Sequence, residues 1–213
     1  AIPFTAYGTN GQSVTGGILI SVTAKAVSEV YGPTPKNTAV TFPASSIAAA
    51  VSAATGTTPS GVQLLKLPAA NVGTVYVGNT TTPANTSTVY GYNTGSEQLG
   101  QLRFVPQTGH TGPVEIPYVA VNASNVPIAS GLFSLGVLTT NKKFGDINAA
   151  TWCYKYVTEL ADAAVIDGYA DGNFRPDSTI TYGAALKLIM LAAGYPEQAP
   201  TVSGSTFSGY LAK

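Results

Sequence analysis

Apolar residues follow two different periods along this chain. In residues 14–22, 72–77, 99–105, 114–121 and 132–138 they come in short runs or alternate, and they are rich in valine, isoleucine, leucine, tyrosine and phenylalanine. Clusters such as Thr80-Thr81-Thr82-Pro83-Ala84-Asn85 separate them, as turns separate strands. The pattern predicts an antiparallel β-sandwich. Residues 44–54 (ASSIAAAVSAA) follow Pro43 and suit either a short helix or a packed strand pair, because periodicity alone does not distinguish the two.

After Asn141 the period becomes helical. Trp152, Tyr156, Leu160 and Ala164 recur every fourth residue, with Cys153, Val157 and Ala161 beside them, predicting one helix with a broad apolar stripe. A second helix is predicted over 184–193, with Leu186, Ile189, Met190 and Ala193 on one face. Thr181 suits its N-cap, because a hydroxyl there accepts from an otherwise unpaired backbone N–H. Gly194 suits the left-handed position after its end, and Pro196 blocks continuation. A helical pair this small must dock on something to bury both faces.

The β half also repeats itself. Ile2-Pro3-Phe4-Thr5-Ala6 returns 114 positions later as Ile116-Pro117-Tyr118-Val119-Ala120, and Gly17-Ile18-Leu19 returns at the same offset as Gly131-Leu132-Phe133. The second copy closes a strand-rich region that begins near Val27. By analogy, residues 2–23 are expected to be the last hairpin of a preceding domain of the same kind.

Charge sharpens the division. The 213 residues carry ten basic and ten acidic groups, a formal net charge of zero. Charged residues make up 9%, against roughly 25% in ordinary soluble proteins. Seven of the twenty lie before residue 142 (Lys25, Glu29, Lys36, Lys66, Glu97, Arg103 and Glu115), which places a boundary near Asn141. The balance argues against electrostatic capture of nucleic acid. It leaves little repulsion between copies packed side by side. No apolar run reaches the length of a membrane span, and no basic region followed by an apolar core marks a leader. The lone Cys153 excludes an intrachain disulfide and suits a buried core position.

One segment is more specific than any of these patterns. Phe144-Gly145-Asp146 is followed by Trp152, then by Gly168-Tyr169-Ala170-Asp171-Gly172-Asn173-Phe174-Arg175-Pro176-Asp177, then by Ile180-Thr181. This order resembles the S-layer homology (SLH) motif across residues 142–195, and Phe207-Ser208-Gly209-Tyr210-Leu211 resembles the opening of a second. Residues 27–138 resemble the immunoglobulin-like repeats that precede SLH motifs in bacterial surface proteins, through Phe104-Val105-Pro106, residues 112–120 and residues 131–137. Together these resemblances imply a mainly β chain with a helical C-terminal module. Its parts would be a terminal hairpin (1–24), an Ig-like antiparallel sandwich (25–140), an SLH motif (141–196) and the start of another (197–213), as in a fragment of a longer protein.

The SLH resemblance also implies what the site does. Three such motifs combine into a unit that binds cell-wall polysaccharide, using the Asp of Phe-x-Asp, nearby aromatics and an Arg in Ile-Thr-Arg-Ala-Glu. Asp146 and Trp152 match the first two elements and are the candidate glycan contacts. The third reads Ile180-Thr181-Tyr182-Gly183-Ala184, which lacks the cation. Lys187, one turn on, is the nearest replacement. The signature residues Phe144, Gly168, Tyr169, Asp171, Gly172, Phe174, Pro176 and Thr181 are expected to be mainly structural: glycines for turns, Asp171 as a loop brace, Phe174 and Pro176 as pins.

Other chemistry finds little footing. Residues 167–178 share Asp, Asp and Gly with a calcium loop, but Tyr169 and Ser178 stand where carboxylates are needed. His110 sits in a Gly-rich turn without a marked nucleophile or metal partner. Glu115 among strand residues could serve an isopeptide crosslink, and Asn79, Asn85 and Asn122 begin glycosylation sequons. The expectation is a non-enzymatic protein without metal or cofactor, extracellular, at the cell wall or S-layer of a Gram-positive bacterium. It would act as a stalk or lattice element whose partners are cell-wall polysaccharide and other copies of itself. Two alternatives stay open: a fibre subunit built by strand exchange, and a glycan- or cell-binding module of a larger surface enzyme.

Overall fold

The structure, a computed structural model, describes residues 2–7, 12–18, 26–27, 29–92 and 98–211. The end of the predicted strand 14–22 beyond Ile18, Lys25, Glu97 and the terminal Ala212-Lys213 lie outside the described residues. The chain is mainly β with helices towards the C-terminus.

Strands β1 (Ile2–Tyr7) and β2 (Ser13–Ile18) form an antiparallel hairpin. Eight further strands follow: β3 (Val30–Pro35), β4 (Val40–Thr41), β5 (Gly61–Leu64), β6 (Gly73–Val77), β7 (Val89–Gly91), β8 (Leu102–Pro106), β9 (Gly112–Val121) and β10 (Pro127–Leu138). They make a five-stranded sheet in the order β3-β10-β9-β5-β7 and a three-stranded sheet in the order β4-β8-β6. Every strand pair is antiparallel except β3–β10, which is parallel. A purely antiparallel sandwich was expected; the exception arises because β3 enters the sheet beside the last strand.

β3 escaped prediction because Gly32, Pro33 and Pro35 argue against a strand. It lies at the sheet edge, where a missing N–H leaves no ladder bond unmade. The predicted strand 99–105 begins only at Leu102, because Leu99–Gln101 is a turn of 3-10 helix. Both Leu99 and Leu102 are fully buried; a strand would send residues three apart to opposite faces, whereas a 3-10 turn brings both inward. Residues 44–54 resolve as a helix, α1 (Ala44–Thr55), which buries Ile47, Ala48 and Val51 and ends at Gly56 with φ +76°.

The two sheets and α1 share one core. Val114, Ile116, Tyr118 and Ala120 alternate inward from β9, facing Val75 from β6 and Phe104 from β8. Tyr118 illustrates why the repeat pairs an aromatic with glycine: its Cα partner is Gly131, and a Cβ there would lie 2.4 Å from the Tyr118 hydroxyl. Burial pushes that hydroxyl up to about 12. β10 is buried on both faces. Phe133, Leu135 and Val137 enter the core, while Ser134 and Leu138 are covered from the other side.

Beyond β10, helices α2 (Tyr154–Asp162), α3 (Tyr182–Ala192) and the short α4 (Ser208–Leu211) complete the chain. A second small core gathers Phe144, Cys153, Val157, Ala161, Val165 and Ile166, with Leu188 and Leu191 of α3 against it. Helices α2 and α3 end in the same way. Val165 N–H donates to Leu160 O and Ala164 N–H to Ala161 O; Tyr195 N–H donates to Met190 O and Gly194 N–H to Leu191 O. This Schellman pattern needs a left-handed residue, supplied by Gly194 (φ +83°) but by Ala164 (φ +56°) in α2. Ala164→Gly is therefore expected to stabilise the protein by about 0.5–1 kcal/mol, and Gly194→Ala to cost about 1 kcal/mol. Denaturant titration of both variants checks the opposed signs.

Candidate functional site

The signature loop is built by two carboxylates and two glycines. Gly168 and Gly172 take φ of +71° and +82°. Tyr169 N–H donates to Asn173 O at 2.8 Å and Gly172 N–H to Tyr169 O at 3.0 Å, closing the turn. Asp171 accepts from Asn173 N–H at 3.1 Å, Asn173 Nδ2 at 3.2 Å and Arg175 Nη2 at 2.7 Å. It is the brace expected of it.

Asp146 grips the same loop from outside. Its two oxygens accept the N–H groups of Phe174 (2.8 Å) and Arg175 (2.6 Å). The Phe174 N–H, followed by that of Arg175, holds its carboxyl below the usual carboxylate range. Arg175 has φ +62°, a conformation that this pair of bonds helps to hold. Phe174 then packs on Phe144, with ring centroids 5.6 Å apart.

Between the loop, α2 and α3 lies an open groove of about 740 Å³. The predicted α2 stripe needs correction here. The face turned to the core is Cys153, Val157 and Ala161, whereas Trp152 precedes the helix and stays 74% exposed. Tyr156 is 61% exposed, and together with Trp152 and Leu160 it lines the groove. The α3 face also differs from expectation. Leu188 and Leu191 turn towards the second core while Ile189 is exposed, because this helix is apolar nearly all round and its period fixes no face. Phe174 and Pro176 reach the groove wall, as does the ring of Tyr169. Asp146 does not line it, so the structure does not bring the two candidate glycan contacts onto one wall.

The cations of the groove are already engaged. Arg175 pairs with Asp171 and its guanidinium lies 4.4 Å from the Tyr169 ring centroid. Lys187 pairs with Glu197, which raises the lysine's pKa. Tyr182, standing where the resemblance calls for Arg, is 89% exposed. Thr181 caps α3 as predicted, accepting from Ala184 N–H at 3.2 Å. Gly183 has a structural reason: a Cβ there would meet Phe207 at 2.8 Å.

These features, from the Asp146 brace to the capped α3, all fall within one short stretch. Residues 143–186 match the S-layer homology domain. No curated protein matches the chain. SLH domains bind cell-wall polysaccharide, and the match associates this chain with the cell surface. No helix among the described residues is long and apolar enough to cross a membrane.

The remaining candidate residues take ordinary places. Asp167 pairs with Lys142 at 2.7 Å, and among the described residues no three His, Cys, Asp or Glu side chains cluster as metal ligands would. His110 lies in a turn, donating its backbone N–H to Gln107 O at 2.9 Å. Glu115 is exposed, opposite Ser134. The Asn85 and Asn122 side chains accept backbone N–H groups in their own turns. Cys153 is buried, and its surroundings raise the thiol's pKa.

Proposed function

We propose that this chain belongs to a structural, non-catalytic surface protein of a Gram-positive bacterium, held to the wall through its SLH region while the β half serves as stalk or lattice element. The observation that carries the reading is an aromatic groove, walled by Trp152, Tyr156 and Tyr169, inside a segment that matches the SLH domain. Aromatic faces of this kind offer apolar platforms for sugar rings, with polar tips at the rim. The neutralised cations and exposed Tyr182 favour a glycan contact that does not depend on a charge at this motif.

In this reading residues 25–140 form an Ig-like sandwich, 1–24 the closing hairpin of a preceding repeat, 141–196 one SLH motif and 197–213 the start of the next. The hairpin registers support the repeat. Tyr7 pairs with Ser13 and Val121 with Pro127, so the flanking pairs of the two hairpins stand 114 positions apart. Past the turn, β10 is shifted by a bulge that β2 lacks. In the second copy the outer edges of the hairpin are covered by β3 and β5, whereas β1 and β2 pair only with each other among the described strands. Such open edges favour a second reading, in which another copy completes the hairpin and builds a fibre.

Co-sedimentation with purified, protein-free cell wall tests the anchoring role. The full-length protein is expected to pellet with wall, to stay in solution when the wall is stripped of its polysaccharide, and to lose retention on Trp152→Ala. Retention by stripped wall would overturn the reading.

A further inference from the structure

The two halves of the chain are joined by more than a linker. Tyr154 and Lys155, at the start of α2, meet β3 and the residue before it. The Tyr31 and Tyr154 rings form an edge-to-face pair with centroids 5.8 Å apart, and Lys155 Nζ lies 2.6 Å from Glu29 Oε1. Both partners of that ion pair are only about one-third exposed or less, at 27% and 34%. At the other end of α2, Asp162 closes on the residues that leave β10. Its carboxylate accepts Thr139 N–H at 2.9 Å, Thr140 N–H at 2.5 Å and the Thr140 hydroxyl at 2.9 Å.

These attachments stand about 10 Å apart along the helix, at 1.5 Å per residue from Lys155 to Asp162. One contact would act as a pivot; two separated contacts resist rotation about either. Between them the outer face of β10 is buried, and Gly136 leaves room for Tyr31, whose hydroxyl would lie 2.3 Å from a Cβ there. Glu159 lies in the same seam, where burial raises its carboxyl's pKa, and burial likewise raises that of the Tyr31 hydroxyl.

We infer that α2 is a two-point strap that locks the SLH segment onto the β-sandwich as one rigid body, fixing the direction in which the stalk leaves the anchoring groove. Domains joined by small interfaces ordinarily move relative to one another, so this stiffness is a property of the seam. It also reroutes load. Tension arriving through β10 passes at Thr139 and Thr140 into the charge-assisted bonds of Asp162, shielding the connecting segment 141–153. The inference does not depend on what the groove binds.

Backbone ¹⁵N relaxation of the whole chain tests it. Amides of the β-sandwich and of α2–α3 are expected to report one common tumbling time. Lys155→Glu combined with Asp162→Ala is expected to give two, with each half keeping its dispersed spectrum. The charge exchange Glu29→Lys with Lys155→Glu is expected to keep one. Should the α2 variant unfold the helices, Glu29→Lys with Tyr31→Ala loosens the same seam from the sandwich side and is expected to split the tumbling times. Two times in the unaltered protein, or one time in a folded variant that has lost its straps, would overturn the inference.

Discussion

Gly168→Ala is expected to destabilise the SLH segment by about 3 kcal/mol. Two costs add at this position. An L-residue at φ +71° carries roughly 1–2 kcal/mol of backbone strain. The new Cβ would also fall 2.4 Å from Phe144 Cε1 and 2.7 Å from Asn173 O. Phe144 is held between the loop and Phe174, so its ring has little room to retreat, and overpacking of this kind costs about 1–3 kcal/mol. Gly172 is the internal control. Its φ is similar at +82°, but a Cβ there meets nothing within 4 Å, so Gly172→Ala is expected to cost only the strain. Hydrogen exchange at the α2 amides measures both variants. Equal losses would mean that the Phe144 contact does not brace the loop.

Phe133→Ala is expected to cost about 3–5 kcal/mol. Phe133 is fully buried in β10, its ring 4.7 Å from that of Phe42 and beside Gly32, where a Cβ would lie 3.3 Å from the ring. It therefore lies between the parallel edge strand, where Val30 is its Cα partner, and the segment leading into α1. Against a total stability of about 5–15 kcal/mol, the loss is about a fifth of the whole or more. Phe133→Leu keeps most of the volume and should cost less than about 1.5 kcal/mol. Chemical denaturation followed by far-ultraviolet circular dichroism checks the pair. A loss below that of the leucine variant would show that the core around β10 is not continuous.

Local chemistry was the legible part of the site. Thr181 as a cap, Gly194 as a left-handed terminator, Gly168 and Gly172 as turn residues and Asp171 as a brace each depend on bonds to residues a few positions away. The strands with unbroken valine and isoleucine patterns were legible for the same reason. β3 was not, since its two prolines are tolerated only by an edge position that the partner strand β10, a hundred residues away, confers. Helix faces were misjudged where the stripe was too wide to choose. Trp152, Tyr156 and Leu160 are as hydrophobic as Cys153, Val157 and Ala161, and only the packing of α3 and the signature loop decides which set is buried.

The sequence by itself determined the two periods, the repeated residue pattern, the shift in charge near Asn141 and the SLH signature, because each is written in residue order. Only the tertiary structure decided that Asp146 spends both oxygens on the loop backbone, that the groove's cations are paired, and that α2 is strapped to the sandwich at both ends. Those are relations between residues 4 to 126 positions apart, and whether their side chains meet depends on packing that no local pattern encodes.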